Sequence, residues 1–331
     1  MPHMFKLSYT LFYPVVIFGF IFSACGSSKI VSSSKLKLMH DFCTPAIEYN
    51  YSTSFFPFAN TDSLLKKDTL LVRFLSEQDI LMANATATLS LIRNMLVSAG
   101  DSSIRGQISY LNYNEQMQQR LQLFRTEIDG ILAELDCEAG RTNQIASYLG
   151  DINKKKNTKL TVGAILAGSV STIAPIVIKN TTPQNVVVIS SGVISAGLGL
   201  LLLNPGGKKV KLMHYRNLLE DIWFAPKKST TYPPGVWYIL NEPKLSSTPR
   251  VSKAQIVKMR WLKFELKNSI DSSTENLLFR DGGIYNEGNL NLRITMLNEV
   301  QSAIKSINQS LQSFILNLNN ISGKVQLSIK N

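Results

Sequence analysis

Leu297-Asn-Glu-Val300-Gln-Ser-Ala-Ile304-Lys-Ser-Ile307-Asn-Gln-Ser-Leu311-Gln-Ser-Phe314-Ile-Leu-Asn-Leu318-Asn-Asn-Ile321 places an apolar residue at alternating steps of three and four. Sustained for more than three heptads, that spacing predicts a helix with one buried a/d stripe. The residues between are mostly Asn, Gln, Ser and Lys, which suit water. A second seam runs through Met117, Leu121, Phe124, Ile128, Ile131 and Leu135. It extends back through Ile104, Ile108 and Leu111 and forward to Ile145 and Leu149, with Gly106, Gly130 and Gly140 as points where the helix bends. A third helix is expected over Glu77 to Ser98, with Leu81, Ala85, Leu89, Ile92 and Leu96 on one face. Such stripes either pair inside one chain or form an oligomer seam. A chain that supplies several of them favours the first arrangement.

The 331 residues hold 35 Lys+Arg against 23 Asp+Glu, a net charge of +12, with 44% hydrophobic and 18% charged residues. That composition is too apolar for a disordered chain and long enough for one large or two modest domains. Two histidines beyond the N-terminal stretch, His40 and His214, and three cysteines leave little material for a metal site or thiol relay. There is no phosphate loop, HExxH, CxxC or GxSxG motif. Glu134 and Asp136 read as solvated helix charges, and Asp281-Gly282-Gly283 as a turn. No enzyme activity, cofactor or metal is expected.

Leu160–Ile178 is nineteen residues without a charge, and Val186–Leu203 is eighteen more. Either run has the length that crosses a hydrocarbon core of about 30 Å. Residues 179–185 between them are turn-rich. Gly163, Ala167 and Gly168 in the first run, and Gly192, Ala196 and Gly199 in the second, recur at spacings that let two helices approach closely. The alternative is a helical pair buried on all sides in a core. Lys154, Lys155, Lys156 and Lys159 precede the hairpin, and Lys208, Lys209 and Lys211 follow it. Residues 151–267 carry a net charge of +13, so nearly all the basic excess lies around the hairpin. These lysines are the candidates for anionic lipid contact. In an exported chain the flanks have the wrong orientation for ordinary translocon insertion. The hairpin then inserts after export or not at all.

After the hairpin, Trp223, Phe224, Tyr232, Trp237, Tyr238, Trp261 and Phe264 interleave with Lys and Arg. That mixture suits a lipid headgroup zone or stacked bases. It also suits a folded subdomain, in which Gly235–Leu240 reads as a short strand.

The chain opens with Lys6, an apolar run from Leu11 to Phe22, and Ser23-Ala24-Cys25-Gly26. A basic start, a short apolar stretch and small closing residues describe a secretory signal. The ending resembles the cleavage box of bacterial lipoproteins, with Phe22 where that family usually has Leu. The resemblance implies a cut after Ala24, a lipid on Cys25, and an envelope location, in particular the outer membrane. Export argues against a nucleic-acid partner. Cys43 and Cys137 remain, either as a disulfide pair or as two packed thiols.

The expected fold is mainly α: an elongated helical bundle with long heptad helices, a central apolar hairpin and a small β-containing insert. Residues 1–24 form the signal and 25–60 a tether with an irregular segment. Residues 61–157 form the first bundle part, 158–207 the hairpin, 208–250 the basic aromatic segment and 251–331 the second bundle part. In architecture alone this resembles α-helical pore-forming toxins of the cytolysin A and haemolysin BL type. The resemblance implies a hairpin stored against the bundle and released at a membrane. The expected partners are membrane lipids, with a homo-oligomer or an envelope protein as further candidates. A scaffold lipoprotein with a core hairpin and partner-binding heptad helices is the competing function.

Overall fold

The computed structural model describes residues 30–31, 43–45, 49–177, 195, 207–248 and 250–330. Among the described residues are ten α-helices and three short strands. The helices are α1 (Thr61–Lys67), α2 (Thr69–Phe74), α3 (Glu77–Ala85), α4 (Leu89–Ala99), α5 (Ile104–Val177), α6 (Glu220–Phe224), α7 (Pro234–Asn241), α8 (Lys253–Arg260), α9 (Ser272–Phe279) and α10 (Glu287–Lys330). The strands are β1 (Ile30–Val31), β2 (Lys209–Met213) and β3 (Gly282–Tyr285), in the order β1-β2-β3. The chain is mainly α with a small β insert.

Two compact units share the chain. One is drawn from Met1–Leu38, Gln144–Leu212 and Ile284–Leu290. The other comprises Met39–Asn143, Met213–Gly283 and Asn291–Asn331. The expected signal at residues 1–24, Cys25, the connector 179–185 and all of the second apolar run except Ser195 lie outside the described residues.

The larger unit is a helical bundle built on the two seams. Leu297, Val300, Ile304, Ile307, Leu311, Phe314, Leu318 and Ile321 of α10 are all buried. So are Met117, Leu121, Phe124, Ile128, Ile131 and Leu135 of α5. This burial is supplied by the chain itself, which answers the choice between bundle and oligomer seam. Polar contacts flank the stripes: Gln301 donates to Asp136 at 3.5 Å, Asn317 to Asp79 at 3.1 Å, and Lys253 to Ser306 at 3.1 Å. The short helices start where their caps dictate. Ser76 and Asp79 form a capping box at α3, and Asp68 and Asp271 accept backbone N–H groups at α2 and α9.

α5 runs for 74 residues through Gly106, Gly130 and Gly140 without interruption. The second seam and the first apolar run are thus parts of one helix. The backward extension of the seam is corrected. Ile104, Ile108 and Leu111 are 77%, 62% and 61% exposed, and Tyr110 is buried in their place. Counting back seven from Met117 reaches 110, so the residues at 104, 108 and 111 fall off the stripe.

Two further expectations are corrected. Glu77 to Ser98 is two helices at 118° to one another. Ala87 takes a positive φ of 54°, and Thr88 N–H returns to the Ala83 carbonyl at 2.8 Å. That is a left-handed helix ending formed without glycine. Gly235–Leu240 is helical, inside α7, with Pro234 at its first position where the missing N–H is harmless. Gly235 is required there because a Cβ would come within 2.2 Å of the Ala85 carbonyl oxygen. Gly282 and Gly283, expected to form a turn after Asp281, are instead the first two residues of β3, with a φ of 88° at Gly282.

The tryptophans belong to the core. Trp223 and Phe279 stack at 4.3 Å, Trp261 and Phe279 at 5.8 Å, and Trp237 lies against Tyr232 at 5.7 Å. All three tryptophans and Tyr232 are buried, which leaves Phe224 and Phe264 of that group exposed. The tryptophans and Tyr232 of the basic aromatic segment are packed within a folded subdomain.

The register of the seams has a direct test. Ile128→Ala and Ile307→Ala should each cost about 2–5 kcal/mol in denaturant unfolding, through lost burial and a cavity. Ile108→Ala should stay within about 0.5 kcal/mol, since its side chain already faces water. Equal losses at all three positions would contradict the register.

Candidate functional site

In the smaller unit one side chain ties together three segments where α5 enters the first apolar run. The Asn153 Nδ2 donates to Glu287 Oε2 at 3.2 Å, and its Oδ1 accepts the Lys208 backbone N–H at 2.8 Å. Close packing surrounds it. A Cβ on Gly207 would come within 2.9 Å of Asn153 Nδ2, and one on Gly150 within 2.8 Å of Glu287 Oε1. Beyond this clasp α5 continues as the first arm. The Ser195 hydroxyl donates to the Ala164 carbonyl at 3.1 Å, and a Cβ on Gly168 would stand 3.6 Å from the Ser195 Oγ. Gly163, Ala167 and Gly168 lie on this half-buried side of the arm, while Gly192, Ala196 and Gly199 lie outside the described residues.

The other side of the arm presents Val162, Ile165 and Leu166, which are 49%, 62% and 62% exposed. The hydroxyls interleaved with them turn inward. Thr158, Thr161 and Ser169 donate to the carbonyls of Lys154, Asn157 and Ile165 at 2.9, 2.9 and 2.8 Å. This i−4 bonding satisfies the hydroxyls within the helix and leaves an apolar outer face. Lys154, Lys155, Lys156 and Lys159 are exposed where the arm begins. Along β2, Lys209 and Lys211 face outward between buried Val210 and Leu212, and Lys208 is half-buried. β1 adds to β2 in parallel, with Ile30 opposite Lys209 and Val31 opposite Val210.

In the larger unit a cleft of about 750 Å³ opens beside α5. Its floor carries Glu127 and Glu134, two turns apart on the face next to the seam, and its far wall runs through Tyr215, Arg216 and Thr230–Tyr232. Thr44, Pro45, Tyr49 and Tyr51 close the near side. Cys43, just before them, is bonded to Cys137, one turn along α5 from Glu134. The bridge closes a separation of 94 residues, for which loss of unfolded-state entropy contributes roughly 4–5 kcal/mol.

The carboxylates differ in company. Glu134 is buried, against the solvated setting expected for it, and receives the Arg216 Nε at 2.8 Å. The same guanidinium donates to the Thr230 and Thr231 carbonyls. Burial raises the Glu134 pKa although Arg216 opposes the shift. Glu127 has the Tyr51 hydroxyl as hydrogen-bond donor, and burial pushes its carboxyl up to about 7, with Tyr51 and Arg120 pulling the other way. Burial likewise lifts the Tyr51 phenol well above its ordinary value. Asp136 remains on the exposed face.

Tyr51, Glu127 and Arg216 carried no sequence signal of their own. The available cue was the seven-residue interval between Glu127 and Glu134, each one position before a seam residue. His214 is buried and held well below its usual pKa by that burial and by the nearby Arg293 and Arg141 cations. Among the described residues no group of three or more His, Cys, Asp or Glu is placed to hold a metal ion. Nor is any single described helix long and apolar enough to cross a membrane. No protein-family model matches the chain, and neither curated proteins nor solved structures give a match.

The cleft makes a signed prediction about pH. Its environment favours neutral Glu127, so the folded pKa lies above the unfolded value near 4.5. Below about 4.5 both states are protonated and that stabilising preference is fully present. It is lost as pH rises through about 7, where the folded state holds a desolvated carboxylate. Glu127→Gln should therefore match the wild type in acid. Above neutrality it should be more stable by roughly 1–2 kcal/mol, a figure reduced for partial exposure. Melting curves across that range check it, and a pH-independent difference would count against the assignment.

Proposed function

We propose that this is a non-enzymatic, lipid-anchored envelope protein whose apolar hairpin engages an anionic membrane surface. The supporting observation is the outer face of the first arm. Val162, Ile165 and Leu166 are exposed, and the neighbouring hydroxyls are satisfied by their own helix. Exposed contiguous apolar residues at the tip of a lysine-rich stretch suit a boundary between headgroups and acyl chains. The lysines at 154, 155, 159, 209 and 211 supply the electrostatic attraction, at about 1 kcal/mol each near an anionic surface.

The tether agrees with this reading. Ile30 follows Cys25 by five residues and pairs with Lys209 at the hairpin's exit. Five residues span at most about 18 Å. A lipid on Cys25 and the base of the hairpin would then address the same bilayer.

Flotation of the mature chain with vesicles tests the proposal. Binding should be strong to phosphatidylglycerol vesicles, weak to phosphatidylcholine vesicles, and reduced by salt. Ile165→Asp with Leu166→Asp should weaken it by at least about tenfold, because each side chain forfeits about 1.5–3 kcal/mol of burial. Dye release from the same vesicles would extend the reading from contact to insertion. Absence of binding to both vesicle types would sink it.

A further inference from the structure

The cleft beside α5 is not used by the membrane reading, and it has the properties of a built site. Its volume of about 750 Å³ falls within the range of small-ligand pockets. Its walls are fixed from two sides. The Cys43–Cys137 bridge pins the backbone beside Thr44 and Pro45. Across from it, Arg216 is locked between Glu134 and the Thr230 and Thr231 carbonyls. Groups already held in one geometry lose little entropy when a ligand arrives.

The chemistry of the lining narrows the occupant. Tyr49 and Tyr215 are 66% and 72% exposed at the rim, and Tyr51 lies deeper beside Glu127. Tyrosine offers an apolar ring face with a polar tip. Between the rings stand carboxylates and a guanidinium, planar groups with several acceptor or donor positions in fixed directions. Glu134 uses one acceptor position on Arg216, and a carboxylate has about four. Three carboxylates line the cleft, and none is left as an unmatched charge: Glu134 receives Arg216, Glu220 receives Arg280 at 2.6 Å, and burial favours the neutral form of Glu127, so the cleft selects neither a cation nor an anion. The ligand that combines flat apolar faces, many hydroxyls and no charge is a pyranose.

We propose that this cleft binds a neutral saccharide, with Tyr49, Tyr51 and Tyr215 stacking on sugar faces and Glu127, Glu134 and Arg216 taking its hydroxyls. The site is independent of the hairpin, and Ile165→Asp should leave it unchanged.

Calorimetric titration of the mature chain with chitotetraose and with maltotetraose tests this, with choline chloride and inorganic phosphate as cation and anion probes. At least one tetrasaccharide should bind with Kd in the range of about 0.1–1 mM, and neither charged probe should bind comparably. Tyr215→Ala, at an exposed position, should weaken sugar binding by about tenfold. Glu127→Gln keeps the shape of the site and should weaken it by a smaller factor. Tyr148→Ala, outside the cleft, should have no effect. Lack of heat with both sugars from a protein with native circular dichroism overturns the proposal. So does tighter binding of either charged probe, or a sugar affinity indifferent to Tyr215→Ala and Glu127→Gln.

Discussion

Burial of the two a/d seams is the interaction on which everything else in the larger unit rests. Each Leu, Ile or Phe removed from water contributes about 1.5–3 kcal/mol, and the seam residues of α5 and α10 are buried without exception from Met117 to Leu135 and from Leu297 to Ile321. The short helices α1–α4 and α6–α9 could not persist alone, since isolated helices of their length are marginal in water. They hold because the long helices give them an apolar surface to cover. The cleft follows from the same constraint. Glu127 and Glu134 sit one residue before Ile128 and Leu135, so the register that buries the isoleucine and leucine also sets the carboxylates at the edge of the core.

α5 carries a second consequence. It leaves one unit and enters the other without a break, and its surface chemistry changes along the way. From Met117 to Leu149 it buries a stripe against protein. After the lysines at 154–156 it turns Val162, Ile165 and Leu166 outward. A helix keeps its backbone bonds regardless of its surroundings, so the sequence can alter the partner of its faces while the element remains continuous. Asn153 lies at this change of partner and ties together the Lys208 backbone and Glu287.

Periodicity made the long helices legible, because a 3-4 repeat sustained over many turns has few other solutions. It failed where local geometry took over. At residues 104–111 the apolar residues continued but slipped by one position, and only counting sevens from Met117 reveals it. At Ala87 a left-handed ending was made by a residue that ordinarily continues a helix. At Gly235–Leu240, β-forming residues became helical because Pro234 opens a helix and Gly235 meets the Ala85 carbonyl. The tryptophans looked interfacial because composition cannot distinguish a wet aromatic belt from a stacked core. The cleft was legible only as two glutamates seven apart. Its remaining half, Arg216 and Tyr51, comes from chain segments distant in sequence.

The same distinction between composition and placement applies to charge. Residues 151–267 hold a net charge of +13, which by sequence forms one basic block around the hairpin. The fold divides it. Arg216 is spent on Glu134, Lys258 lies over the Trp223 ring and donates to its carbonyl, and Lys244 meets Asp62 and Glu77. These cations work inside the larger unit, where their charge is locally matched. Lys154, Lys155, Lys159, Lys209 and Lys211 instead point to solvent on α5 and β2 of the smaller unit. A surface potential is raised by charges that protein has not already matched. Lys227, Lys228, Lys263 and Lys267 are exposed on the larger unit as well, so what sets the smaller unit apart is that Lys154, Lys155 and Lys159 share α5 with the apolar face of Val162, Ile165 and Leu166.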